Sequence, residues 1–105
     1  MKYWHPSEVV SPKDYVKNVE VILDAGDGSD GNEPISIAKL EWEGSPCFGI
    51  RWNIARREYD DEEKKKGARK CVGMPSSHGY PVWFIIPDDI VNPKSKVFEL
   101  IRSKI

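Results

Sequence analysis

The segment from Cys47 to Ala55 constrains the fold more than any other part of the sequence, because its side chains alternate between two kinds. Large apolar residues alternate with small or polar ones in the order Phe48, Gly49, Ile50, Arg51, Trp52, Asn53, Ile54 and Ala55. A period of two residues is typical of a β-strand with one covered face. The pattern predicts a strand over residues 47–55 whose bulky side chains point inward and whose Arg51 and Asn53 lie in solvent.

A second alternating run lies just upstream of this strand. Residues 35–42 place Ala38, Leu40 and Trp42 on one face of a strand. Residues 43–46 read Glu-Gly-Ser-Pro, a composition typical of a tight turn. Two strands joined by so short a connection predict an antiparallel β-hairpin.

The N-terminal part of the chain supplies one more strand. Ser11 and Pro12 are residues that start helices, and they predict a short helix over residues 12–17. A run rich in β-branched residues predicts a strand over residues 19–23. The Gly-rich stretch 25–34 then predicts a loop that leads into the hairpin.

The C-terminal part combines a strand and a helix. The continuous apolar run 82–86 predicts a central strand covered on both faces. Asn92 and Pro93 then form a helix-start signal. The apolar stripe of this helix consists of Val97, Phe98, Leu100, Ile101 and Ile105. We expect the stripe to pack on one face of the sheet.

Residues 56–81 give weaker signals. Acidic residues precede lysines by four positions within residues 60–67, which predicts an exposed tip with a solvated helical turn. Residues 69–73 are expected to form a short returning strand, and residues 74–81 form a loop by composition.

Together these elements predict one domain that spans residues 1–105. Its class is α+β: an antiparallel β-meander of four to five strands, with a C-terminal helix packed on one face and a short N-terminal helix. The length of 105 residues and the hydrophobic fraction of 39% suit one globular domain.

No motif in the chain assembles a catalytic or metal site. Residues 24–33 are acidic and Gly-rich, but they fail the ligand register of a calcium loop. His5, His78, Cys47 and Cys71 match no zinc-ligand spacing. We therefore predict no catalytic residue, no metal, no cofactor and no enzymatic activity.

The same sequence favours a cytoplasmic location. No apolar stretch approaches the roughly 18 residues that a membrane helix needs. The chain shows no signal-peptide core and holds two cysteines, which indicates reduced thiols. No membrane partner is predicted.

Positive charge concentrates in the middle of the chain, although the net charge is -1. Residues 51–71 hold eight Lys or Arg and five Asp or Glu. Guanidinium and amide groups bind phosphates and base edges, so exposed ones could bind nucleic acid. The predicted nucleic-acid-binding residues are Arg51, Asn53, Arg56, Arg57 and Lys39. The alternative is a solvated face whose arginines pair with nearby glutamates.

The hairpin also resembles a known family. Residues 35–44, followed by Phe48-Gly49-Ile50-Arg51-Trp52, are similar to the central hairpin of the positive cofactor four family, which includes small bacterial single-stranded-DNA-binding proteins. The resemblance covers residues 35–57 and 82–104. It implies four antiparallel strands and a helix, homodimerisation, and binding of single-stranded nucleic acid across the sheet and its basic loops.

Two functions from different classes therefore stand as predictions. The first is a module that binds single-stranded nucleic acid, in transcription or DNA processing, as a homodimer. The second is a protein-interaction or regulatory subunit without nucleic-acid binding, which would expose an apolar patch rather than a basic face. We expect that patch around Trp4, Tyr80 and Trp83. A small enzyme of unrecognised type is a third possibility, and it would require a deep pocket with a strongly shifted titratable group.

Overall fold

A computed structural model describes all of residues 1–105 and places most of the core against a single antiparallel sheet. In chain order, the elements are a 3₁₀ turn (Pro6–Glu8), β1 (Val16–Asp24), β2 (Ile35–Trp42), β3 (Ser45–Trp52), a second 3₁₀ turn (Arg56–Asp60), α1 (Glu62–Lys65), β4 (Ser76–Ser77), β5 (Tyr80–Pro81), β6 (Phe84–Ile86), α2 (Asp88–Val91) and α3 (Lys96–Arg102). The main sheet has the strand order β1-β2-β3-β6, and β4 pairs with β5 in a separate hairpin. The predicted α+β class with an antiparallel sheet and a C-terminal helix is confirmed.

The β2–β3 hairpin forms where the alternating runs predicted it. Leu40 pairs with Cys47 and Ala38 pairs with Gly49 across an unbroken antiparallel register. Glu43 and Gly44 connect the strands with φ values of 51° and 84°. Positive φ at both central residues is the geometry of a type I′ turn, whose twist suits a two-residue hairpin. The turn therefore fixes the register of the central strand pair.

The predicted helix over residues 12–17 is wrong. Residues 12–15 form a turn closed by hydrogen bonds from Tyr15 N and Val16 N to Pro12 O, and β1 begins at Val16. Val16 is buried and pairs with Trp42 of β2. Strand pairing and core packing of Val16 thus outweigh the local helix-start signal.

The core lies between one face of the sheet, which we call the covered face, and the N-terminal segment. Its buried apolar cluster consists of Val9, Val16, Ala38, Leu40 and Trp83. A Cβ atom at Gly49 would lie 3.0 Å from both Leu40 Cδ2 and Trp83 Cβ, so only glycine leaves room for the indole over β3. Trp83 Nε1 also donates a hydrogen bond of 2.8 Å to Val9 O, which satisfies its polar group inside the core.

The orientation predicted for β3 is reversed. Gly49, Arg51 and Asn53 lie on the covered face and are buried, whereas Trp52 is 43% exposed. The cover over Arg51 is made by the backbone of residues 72–82, whose carbonyl groups accept its hydrogen bonds, and the indole of Trp83 covers Gly49. Small and polar side chains fit that cover better than bulky apolar ones.

The strand in the apolar run 82–86 is neither central nor covered on both faces. The strand proper is β6, which lies at the edge of the sheet beside β3. Trp83 faces the core, while Phe84 is 58% exposed on the other side. Continuous hydrophobicity here marks a strand whose second face lacks a cover.

The C-terminal helix differs from its predicted position. It begins at Lys96, and its N-cap is Ser95 rather than Asn92: the Ser95 hydroxyl accepts a hydrogen bond from Phe98 N. It packs against α2, and none of its residues is buried. Its apolar stripe therefore does not supply the cover predicted for the sheet. None of the helices has the length and apolar character needed to span a bilayer.

Residues 56–81 contain more structure than a loop. The helical turn predicted within residues 60–67 forms as α1, and Asp61 caps it by accepting from Glu63 N and Lys64 N. Residues 69–73 form no strand, but Cys71 forms an isolated bridge with Tyr3, and both Cys71 and Gly73 are buried. The loop predicted over residues 74–81 contains the small β4–β5 hairpin.

Candidate functional site

Arg51 is a structural residue inside the molecule. It is 3% exposed, and its guanidinium donates hydrogen bonds to the carbonyl oxygens of Val72, Pro75 and Val82. Burial lowers the pKa of Arg51 to about 10, opposed by the charge of Glu58, so the group stays cationic at neutral pH. These bonds attach the segment 72–82 to β3. Arg51 therefore cannot bind phosphate, contrary to the sequence-based prediction.

Gly73 makes the buried arginine possible. Its φ is 71°, and a Cβ atom there would lie 2.0 Å from Trp52 O and 2.7 Å from Arg51 Nη2. Any other residue would collide with β3 backbone and with the guanidinium. The backbone of residues 72–74 can thus approach β3 closely enough for Trp52 and Met74 to exchange two hydrogen bonds.

Glu58 completes this buried polar network. Its carboxylate accepts hydrogen bonds from Ala55 N at 2.7 Å, Val72 N at 2.8 Å and Gly73 N at 2.9 Å. It also forms an ion pair of 2.7 Å with Lys64. Burial alone would raise the pKa of Glu58, but these hydrogen bonds outweigh it and hold the pKa below the usual 4.5. The carboxylate thereby links the turn that follows β3 to residues 72–73.

Asn53 is also unavailable to a ligand. It is 2% exposed, its Oδ1 accepts a hydrogen bond of 2.7 Å from Ser36 Oγ, and its Nδ2 donates one of 2.8 Å to Gly26 O. The side chain ties the Gly-rich loop 25–34 to the end of the sheet. Both polar residues of the alternating run are therefore corrected from ligand-binding to structural roles.

The other three predicted residues remain in solvent, but the structure does not gather them. Arg56 and Arg57 are exposed in the 3₁₀ turn that follows β3. Lys39 is exposed opposite Phe48, and Trp52 lies four residues farther along β3, a separation of about 13 Å. Lys39 shares a shallow depression with Glu20 and Glu41, whose carboxylates disfavour a bound phosphate.

The face of the sheet opposite the core is apolar and lacks a cover. We call it the open face, and cross-strand pairing defines its apolar members: Leu23, Ile35, Ile37, Phe48, Ile50, Trp52, Phe84 and Ile86. None of these side chains is buried, and Leu23, Trp52 and Phe84 are 40%, 43% and 58% exposed. No helix makes extensive contact with the sheet, so the open face meets solvent.

A cleft continues the open face beyond the end of β3. It has a volume of about 540 Å³, a floor of Ile54 and Ala55, and a wall of Trp52 and Met74. Arg56 also lines it. Trp52 and Met74 are 43% and 45% exposed, respectively. The cleft adds a concave pocket with a mixed lining, which includes Glu33 and Asn32, to an otherwise flat surface.

Nucleophile and metal chemistry find no support in the geometry. No group of three or more His, Cys, Asp or Glu residues lies close enough together to hold a metal ion. Both cysteines are free, and burial raises the pKa of Cys47 and of Cys71. A raised pKa leaves each as a thiol at neutral pH, which is the less nucleophilic form.

Comparison with known proteins adds nothing to this geometry: no family model, curated protein or solved structure matches the chain. The resemblance to the positive cofactor four family thus stays a prediction.

Sequence reasoning missed the open face, although a signal was present. The strand β2 has apolar residues on both faces, with Ile35 and Ile37 opposite Ala38 and Leu40. The run that contains β6 is likewise apolar at successive positions. Two-sided hydrophobicity in an antiparallel sheet requires a cover on both faces, and this chain supplies only one.

Proposed function

We propose that this chain is a protein-docking module that binds its partner through the open face. The observation that carries the proposal is the contiguous set of eight apolar side chains on four paired strands, without an element of the chain over them. Soluble proteins rarely leave a large contiguous apolar surface in water, and such surfaces usually mark interfaces. Burial of aromatic and aliphatic side chains is the main driving force of such association.

The border of the open face supports the same proposal. Charged residues of both signs lie at its β1–β2 side, where Lys17 pairs with Glu41 and Glu20 pairs with Lys39. An apolar centre with a polar, charged rim is the usual anatomy of a protein interface. The aromatic residues Phe48, Trp52 and Phe84 belong to the types that dominate such centres.

The face, rather than the edge, of the sheet is suited to docking. The edge strand β1 carries register irregularities between Lys17 and Glu20 and between Val21 and Leu23. Bulges of this kind interrupt the row of backbone groups that an added strand would need. The opposite edge strand, β6, pairs over only three residues. Neither edge offers a long template for strand addition.

A photo-cross-linking amino acid at position 84 tests the proposal in cells that express the full chain. We expect a discrete adduct from position 84 that disappears when Ile50→Asp is added. The matched control places the same amino acid at Tyr80, which is 56% exposed, almost as much as Phe84, but lies on the separate β4–β5 hairpin. The absence of an adduct from position 84, or the same adduct from position 80, contradicts the proposal.

Binding of single-stranded nucleic acid is a second candidate, and one observation favours it. Trp52 is 43% exposed and lines the cleft together with Arg56, which combines a stacking surface with a cation. Arg57 is exposed on the same 3₁₀ turn. This candidate no longer uses Arg51 or Asn53.

Titration of a labelled oligonucleotide at low and high salt tests this candidate. Charge-driven binding must weaken as salt rises. Replacing both Arg56 and Arg57 with alanine should reduce the affinity at least tenfold, whereas the same change at Lys96 and Lys104 on the C-terminal segment should leave it unchanged. Equal losses in the two variants, or no binding at low salt, would exclude the cleft as a nucleic-acid site.

A further inference from the structure

We infer that the partner of the open face is a second copy of this chain, so that two open faces pack against each other around a two-fold axis. The inference rests on the proposed docking function and names its occupant. Four observations support it: the surface area of the chain, the size of its core, its dimensions, and the charges at the border of the open face.

The chain exposes more surface than a monomer of its mass should. Its accessible surface is 7222 Å², whereas a folded monomer of 12.0 kDa is expected to expose about 6,000 Å². The excess is therefore about 1,200 Å² per chain. Two copies that each buried this excess would form an interface of about 2,400 Å², which lies in the range of obligate homodimers.

The core of the single chain is correspondingly small. Only 16 of 105 residues are buried, and the largest apolar cluster contains five of them. A second copy on the open face would convert partly buried residues such as Ile37, Phe48 and Ile50 into core residues. The result would be two sheets packed face to face, a standard two-layer arrangement.

The dimensions of the chain agree with a missing layer. Its radius of gyration is 14.9 Å, against about 13 Å for a compact chain of this length, and its shortest dimension is 21 Å. The molecule is thus a plate with the core on one side of its sheet. Face-to-face association adds thickness where the plate is thinnest.

The charges at the border of the open face are compatible with self-association. Lys17 and Lys39 alternate with Glu20 and Glu41 in two cross-strand pairs. A border that carries both signs allows lysines of one copy to meet glutamates of the other under two-fold symmetry. A border of one sign would repel its own copy, so this mixture favours a second copy over a strongly charged partner.

Light scattering on the full chain over a wide concentration range tests the inference. The wild-type chain should have a mass of about 24 kDa at micromolar concentration and approach 12.0 kDa only on dilution. Phe84→Asp, which changes an already exposed side chain, should weaken the dimer at least 100-fold, because a charge would be buried within the interface. Tyr80→Asp is the matched control and should leave the dimer intact.

The outcomes separate the inference from the function on which it rests. A wild-type chain that stays monomeric at high concentration overturns self-association. If position 84 nevertheless cross-links to a different protein, the docking function stands without it; if position 84 gives no adduct either, both fail. Equal dissociation by Tyr80→Asp and Phe84→Asp, with both variants folded by circular dichroism, would place the interface elsewhere and overturn the inference.

Discussion

Around Arg51, the two faces of the main sheet carry side chains opposite to what their exposure would suggest. The covered face holds Ser36, Arg51 and Asn53, all of which are buried. The open face holds Phe48, Ile50 and Trp52, none of which is buried. The difference teaches that burial within this chain follows the cover available to each face. Backbone carbonyl and amide groups cover the part of the covered face around Arg51 and bind its polar side chains, whereas Val9 and Trp83 cover Ala38 and Leu40 farther along the same face. The open face has no apolar cover within the chain.

The comparison predicts that substitutions on the covered side unfold the chain, whereas those on the open face change its association. The largest effect is expected for Gly73→Ala. The added methyl group would collide with Trp52 O and Asn53 O at a backbone conformation that alanine rarely adopts. We expect a loss of about 4 kcal/mol or more in the free energy of unfolding, measured in urea.

Gly44→Ala is the control for this prediction. Gly44 has a φ of 84°, yet nothing lies within 4 Å of a Cβ atom there. The cost should be about 1 kcal/mol, since only the backbone conformation is disfavoured. Equal costs at positions 44 and 73 would mean that the close approach of residues 72–74 to β3 does not exist.

The next largest effect is expected for Arg51→Met. The variant keeps much of the side-chain volume but leaves the carbonyls of Val72, Pro75 and Val82 without their donor. Removing one member of a buried polar network costs about 3 kcal/mol. Arg51→Lys should restore only part of the loss because an ammonium group lacks the planar fork of donors. A loss below 1 kcal/mol, measured by urea unfolding, would place Arg51 on the solvent side after all.

Glu58→Gln should give a smaller, pH-dependent effect of about 2 kcal/mol near neutral pH. Folding lowers the pKa of Glu58, so the unfolded chain binds the proton more readily. The stabilisation from the carboxylate is therefore fully present above the unfolded pKa near 4.5 and is lost as the pH falls through the folded pKa. Thermal unfolding of both proteins from neutral to acidic pH should converge. Parallel curves would show that the carboxylate does not titrate as described.

The smallest effect on the single chain is expected for the open face. Phe84→Asp alters a side chain that is 58% exposed, so the monomer should lose less than about 1 kcal/mol. The wild-type melting temperature should rise with protein concentration, while that of the variant should not. A wild-type melting temperature independent of concentration would remove the thermodynamic link between the open face and association.

The hairpin and the sheet could be predicted from the sequence, because alternation and the turn residues are local signals. Which face of β3 is the covered one could not be predicted. Alternation separates two faces but does not identify the covered one, and the backbone that surrounds Arg51 comes from residues more than 20 positions away. The C-terminal stripe was visible as well, but its position depends on α2 and on contacts that the local pattern does not contain.

The same limit, that a local pattern does not show what covers a residue, applies to the candidate site. Arg56, Arg57 and Lys39 are exposed, as expected of charged residues outside a core. The open face cannot be predicted from the pattern, because hydrophobic side chains indicate burial without showing which chain supplies the cover. Those residues do indicate burial, but in the proposed assembly the cover belongs to a second chain.

Hydroxyl-radical footprinting across concentration tests the central claim most directly, since it measures side-chain exposure in solution. If two copies pack through their open faces, oxidation of Phe48, Trp52 and Phe84 should fall as the protein is concentrated, while oxidation of Tyr80 should stay constant. Protection of Tyr80 without protection of Phe84, or an unchanged pattern in a chain that does associate, would contradict the claim.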